Sequence, residues 1–272
     1  MTEAMADRPT TSTDDVEFLS VNGQRIAVRR IAWSTSESRS PIVFLHEGLG
    51  SISQWQDFPE AVAAATGAPV LLYDRLGHGR SDPLAAPRTP DYLDVEALEW
   101  LPRVLDACGV DQACLFGHSD GGTIALLFAA AYPERVNAII CEAAHVFVEE
   151  KAIRGIREAV ERFREADLED RLARHHGTQA RTLFSAWADT WLSAEFRHWS
   201  VKDRVSQIRC PALLLQGEDD EYATATHLSA IAYQISGPVE TGLLMKCAHV
   251  PHLQARAAVL ERVTAFLRPI FA

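Results

Sequence analysis

A serine, a histidine and a carboxylate could together carry out acyl transfer, and this chain offers all three in telling places. Ser119 stands in Gly117-His118-Ser119-Asp120-Gly121-Gly122, with an apolar run before it and a helix-like run after it. Strand, sharp turn and helix in that order form a bend that presents a nucleophile. Glycines two residues either side leave room where a β-carbon would crowd that bend. The helix that follows would set its positive end beneath the hydroxyl. Asp120 is the other nucleophile within the bend, but it lies one residue past the apex and has no glycine two residues before it.

A serine hydroxyl needs a base within hydrogen-bond reach, and the base needs a carboxylate to fix its tautomer. His249 follows the last strand-like run and precedes the closing helix, which makes it the best base. His252 is its competitor and is expected to open that helix. His118 is expected to point away from the hydroxyl, His46 to brace its loop and His78 to shape a turn. His175, His176, His198 and His227 are expected to be solvated or to cap helices. The acid lies among Glu218, Asp219, Asp220 and Glu221, which follow a strand and Gly217, and chemistry alone leaves the choice among them open. An oxyanion needs aimed donors. These are expected from the N–H of Asp120 at the helix start and from Gly48 in the loop after the first parallel strand.

These residues can meet only if the elements before them share one sheet edge. Asn22-Gly23 between two alternating runs predicts a hairpin. Apolar runs at 41–45, 69–73, 113–116, 135–141 and 211–215, with a further strand at 239–246, alternate with helices at about 55–65, 92–108, 121–132, 224–235 and 256–267. Such alternation predicts an α/β fold, with a mostly parallel central sheet covered by helices on both faces. Sites on such sheets lie beyond the carboxyl ends of the strands. Residues 1–14 read as a disordered tail, 15–142 and 205–272 as two parts of one α/β core, and 143–204 as an all-helical insertion. That insertion carries Trp187, Trp191 and Trp199. Trp187 and Trp191, four residues apart, share a helical face and, with His145, are expected to line a substrate pocket. Arg197 is expected to be solvated or to meet a substrate carboxylate.

With 272 residues the chain can bury a full core. Its net charge of −11 argues against nucleic acid and anionic membranes as partners. No run reaches the roughly 18 apolar residues of a membrane span. Five scattered cysteines without a C-x-x-C pair read as buried thiols in a reducing compartment, so a cytoplasmic location is expected. No histidine or cysteine spacing fits a metal site, and Gly48-Leu49-Gly50 lacks the third glycine of a dinucleotide fingerprint. No cofactor is expected. The expected partner is a small-molecule substrate, and the sequence leaves a homo-oligomer open.

The chain resembles the α/β-hydrolase fold family, in its serine-nucleophile branch with a helical cap, over about residues 24–270. The carrying motifs are the Gly-His-Ser-Asp-Gly-Gly bend and Asp74-Arg-Leu-Gly-His-Gly-Arg-Ser-Asp82, which is similar to the family's D-x-x-G-x-G-x-S turn. Leu214-Leu-Gln-Gly-Glu-Asp-Asp220 looks like the family's G-x-x-D loop, and Cys247-Ala-His249 stands where C-G-H is usual. The resemblance implies Asp220 as the acid and His249 as the base. It also implies that residues 143–204 form the cap. His46-Glu47-Gly48 departs from H-G-x, with Glu47 in the first glycine's place. The implied activity is a serine hydrolase acting through an acyl-enzyme on a small ester, lactone or related carbonyl compound. Two alternatives stand beside it: a carbon–carbon bond hydrolase of a ring-cleavage product, and a non-catalytic small-molecule binding protein on the same fold. His118 and Val250 stand where carbon–carbon hydrolases of the family typically have Asn and Trp.

Overall fold

Five short runs, almost wholly buried, line up in parallel and set the frame. They are β3 (Ile42–Leu45), β4 (Val70–Tyr73), β5 (Ala113–His118), β6 (Val136–Glu142) and β7 (Ala212–Gly217). Their continuous apolar character is that of strands covered on both faces. In this computed structural model residues 15–33, 39–165 and 167–272 are described. The expected tail, and most of the polar loop after the hairpin, lie outside them.

The hairpin β1 (Val16–Val21) and β2 (Gln24–Ile31) turns at Asn22 and Gly23, both at positive φ, and β2 runs antiparallel to β4. β8 (Val239–Leu244) closes the far edge, giving the order β1-β2-β4-β3-β5-β6-β7-β8. Register brings the strand ends level: Leu45 pairs with Gly117, His118 with Glu142, Glu142 with Leu215 and Gly217 with Leu244. The loops that leave these ends therefore gather along one edge of the sheet.

The helices in chain order are α1 (Phe58–Thr66), α2 (Tyr92–Val95), α3 (Leu101–Ala107), α4 (Asp120–Ala131), α5 (Glu150–Arg164), α6 (Asp167–His176), α7 (Ala180–Leu192), α8 (Lys202–Val205), α9 (Ala225–Gln234), α10 (Pro251–Gln254) and α11 (Arg256–Leu267). α1 and α11 cover one face of the sheet around Phe44, Phe116 and Phe58. α2, α3, α4 and α9 cover the other. Pro102 is accommodated because a wider π-type turn, Glu96–Trp100, precedes it. The Leu98 carbonyl, four residues before the proline and so without its usual donor, accepts from the Tyr132 hydroxyl at 3.2 Å.

Between β6 and β7 the chain is helical, apart from one isolated bridge between Phe147 and Ser200. α5 buries Ala152, Ile156, Ala159 and Phe163 at helical spacing, and Phe163 stacks on Phe184 of α7 with ring centroids 3.9 Å apart. Arg197 pairs with Glu150. All five cysteines are free.

Candidate active site

Ser119 sits between β5 and α4 at φ +53° and ψ −115°. Such a backbone costs a non-glycine residue about 1–3 kcal/mol and persists only where the surroundings enforce it. Here they do. A β-carbon on Gly117 would lie 2.1 Å from the Gly121 carbonyl oxygen, and one on Gly121 would lie 1.9 Å from that of Leu45. The Ser119 N–H donates to the Glu142 carbonyl at 2.8 Å, tying the bend to β6.

Asp220 leaves β7 after Gly217, whose hydrogen faces the Ala248 carbonyl where a β-carbon would stand 2.1 Å away. This close approach brings the loop of His249 against that of Asp220. The His249 Nδ1–H donates to Asp220 Oδ2 at 2.9 Å. That fixes the tautomer and leaves Nε2 with a lone pair. Asp220 is fully buried but well served: Gln216 Nε2 donates to it at 2.5 Å, and the N–H groups of Tyr222 and Ala223 donate at 2.8 and 3.0 Å. Burial pushes its pKa up, but His249 and these donors outweigh it and hold the carboxyl at about 2. Burial lowers the pKa of His249, but the carboxylates of Asp220, Glu221 and Glu47 outweigh it and raise it overall. His118 donates from Nε2 to the His249 carbonyl at 2.7 Å.

His252, expected to open the closing helix, lies instead in the separate short helix α10, which begins at Pro251, and it is buried with a partner of its own. Its Nδ1 lies 2.7 Å from Glu142 Oε2. Burial drives His252 down to about 3 and Glu142 up to about 8, which disfavours an ion pair between them.

The loop after β3 is built around one peptide group. The Glu47 carbonyl accepts from Arg75 Nη2 at 2.7 Å, from His46 Nδ1 at 2.9 Å and from the Gly50 N–H at 3.0 Å. Because the peptide is trans, the Gly48 N–H points the opposite way from that carbonyl. Gly48 itself is pressed by the Trp187 indole, whose Nε1 would lie 2.7 Å from an added β-carbon. His46 therefore braces its loop, as expected, and its Nε2 accepts from the Arg75 N–H at 3.1 Å. Asp74, from the D-x-x-G-x-G-x-S turn, accepts from the N–H groups of Ile52 and Arg80 at 2.7 and 2.9 Å, although burial lifts its pKa to about 6.

A cavity of about 240 Å³ opens among these loops and the helical segment. Ser119, Asp120, Gly48, Glu47 and His249 line its floor; Trp187, Trp191, Ile156, Arg162 and Arg171 line its walls, and His145 reaches it from the loop after β6. Asp220 lies behind His249 and does not line the cavity. Among the described residues no group of three or more His, Cys, Asp or Glu side chains is arranged to hold a metal ion.

Two histidine expectations are corrected. His176 is buried: its Nδ1 accepts from the Gly79 N–H at 2.8 Å and its Nε2 donates to the Leu49 carbonyl at 2.9 Å. His227 is buried too, facing Glu149 at 3.3 Å and stacked on Phe147. Both were hidden because their partners lie some 80 to 130 residues away or are backbone groups, which leaves no local pattern. Arg75 and Tyr92 were missed for the same reason.

A profile of the alpha/beta hydrolase fold matches residues 40–198, more than half of the chain. The chain therefore belongs to the α/β-hydrolase fold family. A 2-hydroxy-6-oxo-6-phenylhexa-2,4-dienoate hydrolase of Burkholderia cepacia is 29% identical over 126 residues, which are 46% of this chain and 43% of the relative. A proline iminopeptidase of Lactobacillus delbrueckii subsp. bulgaricus is 34% identical over 103 residues, 38% of this chain and 35% of the relative. The chain thus spans less than half the length of these curated relatives. An esterase from Rhodococcus superposes with a TM-score of 0.71 at 20% identity, covering 94% of this chain and 99% of the esterase, which speaks for the fold alone. These relatives support a hydrolase. No helix among the described residues is long and apolar enough to cross a membrane.

Proposed function

We propose that this hydrolase uses Ser119, His249 and Asp220 as a triad and passes through an acyl-enzyme on a small ester, lactone or related carbonyl substrate. The observation that carries the reading is the 2.9 Å bond from His249 Nδ1 to a fully buried Asp220, with Ser119 held at positive φ on the floor of the same cavity. His249 Nε2 takes the proton of Ser119 as Oγ attacks the acyl carbon. The oxyanion receives the N–H groups of Asp120 and Gly48, the second aimed by Arg75 and His46 through the Glu47 carbonyl. His249 then gives its proton to the leaving group. Water, deprotonated by His249, releases the acid and restores Ser119. Residues 143–204 act as the cap, and Trp187, Trp191 and His145 line the substrate pocket.

The test is release of p-nitrophenol from short-chain esters by the wild type, Ser119→Ala and His249→Ala, beside fluorophosphonate labelling. Hydrolysis lost in both variants, with label on Ser119 of the wild type alone, supports the reading. Hydrolysis that survives Ser119→Ala overturns it. A second reading, carbon–carbon bond hydrolysis, is favoured by Arg162 and Arg171 in the cavity wall, cations suited to a carboxylate such as the dienoate in the Burkholderia enzyme's name. Turnover of a dienoate ring-cleavage product in preference to esters would select it. Saturable ligand binding without labelling or turnover would select the non-catalytic binding protein.

A further inference from the structure

The cavity holds a second histidine–carboxylate pair, which the acyl transfer above leaves unused. Asp120 Oδ2 is committed: it accepts from the Tyr92 hydroxyl at 2.8 Å, and the Tyr92 oxygen accepts from Trp191 Nε1 at 2.9 Å. Oδ1 receives no hydrogen bond among the described residues. Its neighbour is His145 Nε2, 3.6 Å away, which is outside hydrogen-bond distance. The His145 side chain is 8% exposed and that of Asp120 2%, and Nε2 is a buried nitrogen with no hydrogen-bond partner among the described residues.

His145 is held in this position. Its carbonyl accepts from Thr123 Oγ1 at 2.7 Å, its N–H donates back to that oxygen at 3.3 Å, and its ring packs on Trp191 and Trp199. Burial draws the pKa of His145 down to about 4 despite Asp120, so the ring is neutral at pH 7. A neutral ring beside a carboxylate keeps its proton on the facing nitrogen, here Nε2. Buried polar atoms in folded proteins almost always have partners. His145 Nε2 is such an atom without a partner, and it faces an Asp120 Oδ1 that receives no hydrogen bond, in the wall of a cavity beside Ser119; together they mark a place completed by a ligand group.

We propose that Asp120 Oδ1 accepts a hydrogen bond from a hydroxyl on the acyl chain of the substrate, and that His145 Nε2–H donates to the oxygen of that hydroxyl. A hydroxyl suits the pair because it donates to Oδ1 and offers its own oxygen to Nε2–H. Trp187 and Trp191 beside it give a substrate hydroxyl few other partners. A site built to bond a hydroxyl rejects the analogue that lacks it, since its buried polar atoms are then left unpaired. This inference rests on Ser119 being the nucleophile, and the test separates the two.

Ethyl butanoate, ethyl 2-hydroxybutanoate and ethyl 3-hydroxybutanoate are compared by acid release at constant pH, each rate divided by the ester's own hydroxide rate. The wild type should favour one hydroxylated ester by at least about tenfold in kcat/KM. Asp120→Ala and His145→Phe should bring that ratio to about one, while His145→Gln, which keeps a donor, should retain most of it. A general structural defect would lower all three esters together and leave the ratio unchanged. Equal rates in the wild type, or a ratio that survives Asp120→Ala, overturns the proposal. Should no ester turn over, calorimetric binding of 2- and 3-hydroxybutanoate against butanoate decides it. Tighter binding of a hydroxy acid that Asp120→Ala abolishes supports the subsite, and equal affinities refute it. Fluorophosphonate labelling of Ser119 reports separately on the nucleophile.

Discussion

His249 and His252 stand three residues apart, each within 3 Å of a buried carboxylate, yet the two carboxylates are shifted in opposite directions. Asp220 is held at about 2 and His249 is raised, whereas Glu142 is pushed to about 8 and His252 falls to about 3. Both carboxylates are buried, so burial is not the difference. Asp220 stands in a loop past a strand end, where two backbone N–H groups and Gln216 bond the ionised form. Glu142 is the last residue of β6, His252 is its hydrogen-bonding neighbour, and its Oε1 receives no side-chain or backbone bond among the described residues. A histidine beside a carboxylate is thus not a dyad by proximity; what decides is the number of donors that serve the charged form.

The sharpest way to break this comparison is Asp220→Asn, which keeps the shape and removes the charge. We expect a loss of about 10⁴-fold in kcat, measured on whichever substrate the wild type turns over. Glu142→Gln makes the matching change in the other pair. Because burial already favours the uncharged form of Glu142, kcat should fall by less than about tenfold. If Glu142→Gln were as damaging as Asp220→Asn, the contrast between the pairs would be wrong.

The same variant has a signature in stability. The folded-state pKa of Glu142 is raised, so its contribution is present below the unfolded carboxyl value and is lost as pH rises toward about 8. Between pH 6.5 and 8 the melting temperature of Glu142→Gln should therefore fall less steeply than that of the wild type. Asp220 has the opposite sign. Its depressed pKa gives stability that is present above the unfolded value and lost as pH falls through about 2.

A smaller effect should come from Glu221, which accepts from the His249 N–H at 3.2 Å and helps to raise its pKa. His249 must be neutral to act as base, so the acid limb of kcat/KM should have its midpoint above 6.5. Glu221→Gln should move it down by a few tenths of a pH unit, because an exposed carboxylate is screened by water. An unmoved midpoint would assign the raised pKa to Asp220 alone.

What the sequence made legible follows from where its signals are local. The bend around Ser119, the hairpin at Asn22-Gly23 and the buried strands all depend on neighbours within a few residues. The choice of Asp220 among Glu218, Asp219, Asp220 and Glu221 rests instead on the resemblance to the family's G-x-x-D loop. The helix start at α1 was placed three residues early, because a separate single turn, Ile52–Trp55, precedes it. Groups that act at a distance left no trace. Arg75 holds the Glu47 carbonyl from 28 residues away, and Tyr92 holds Asp120 from the same separation. His176 and His227 look like any surface histidines until the fold supplies their partners. Glu142 reads as the end of a strand, and only the packed structure sets His252 against it.

The double anchorage of His176 has a consequence for transplantation. With Gln179, which donates to the Ser81 carbonyl at 2.9 Å, it fastens the helical segment to the loops carrying Leu49 and Gly79. The joint is half in the insertion and half in the core. A graft of residues 143–204 onto another hydrolase scaffold would therefore import the aromatic walls but misalign them, unless the recipient's two glycine-rich loops were exchanged in the same step.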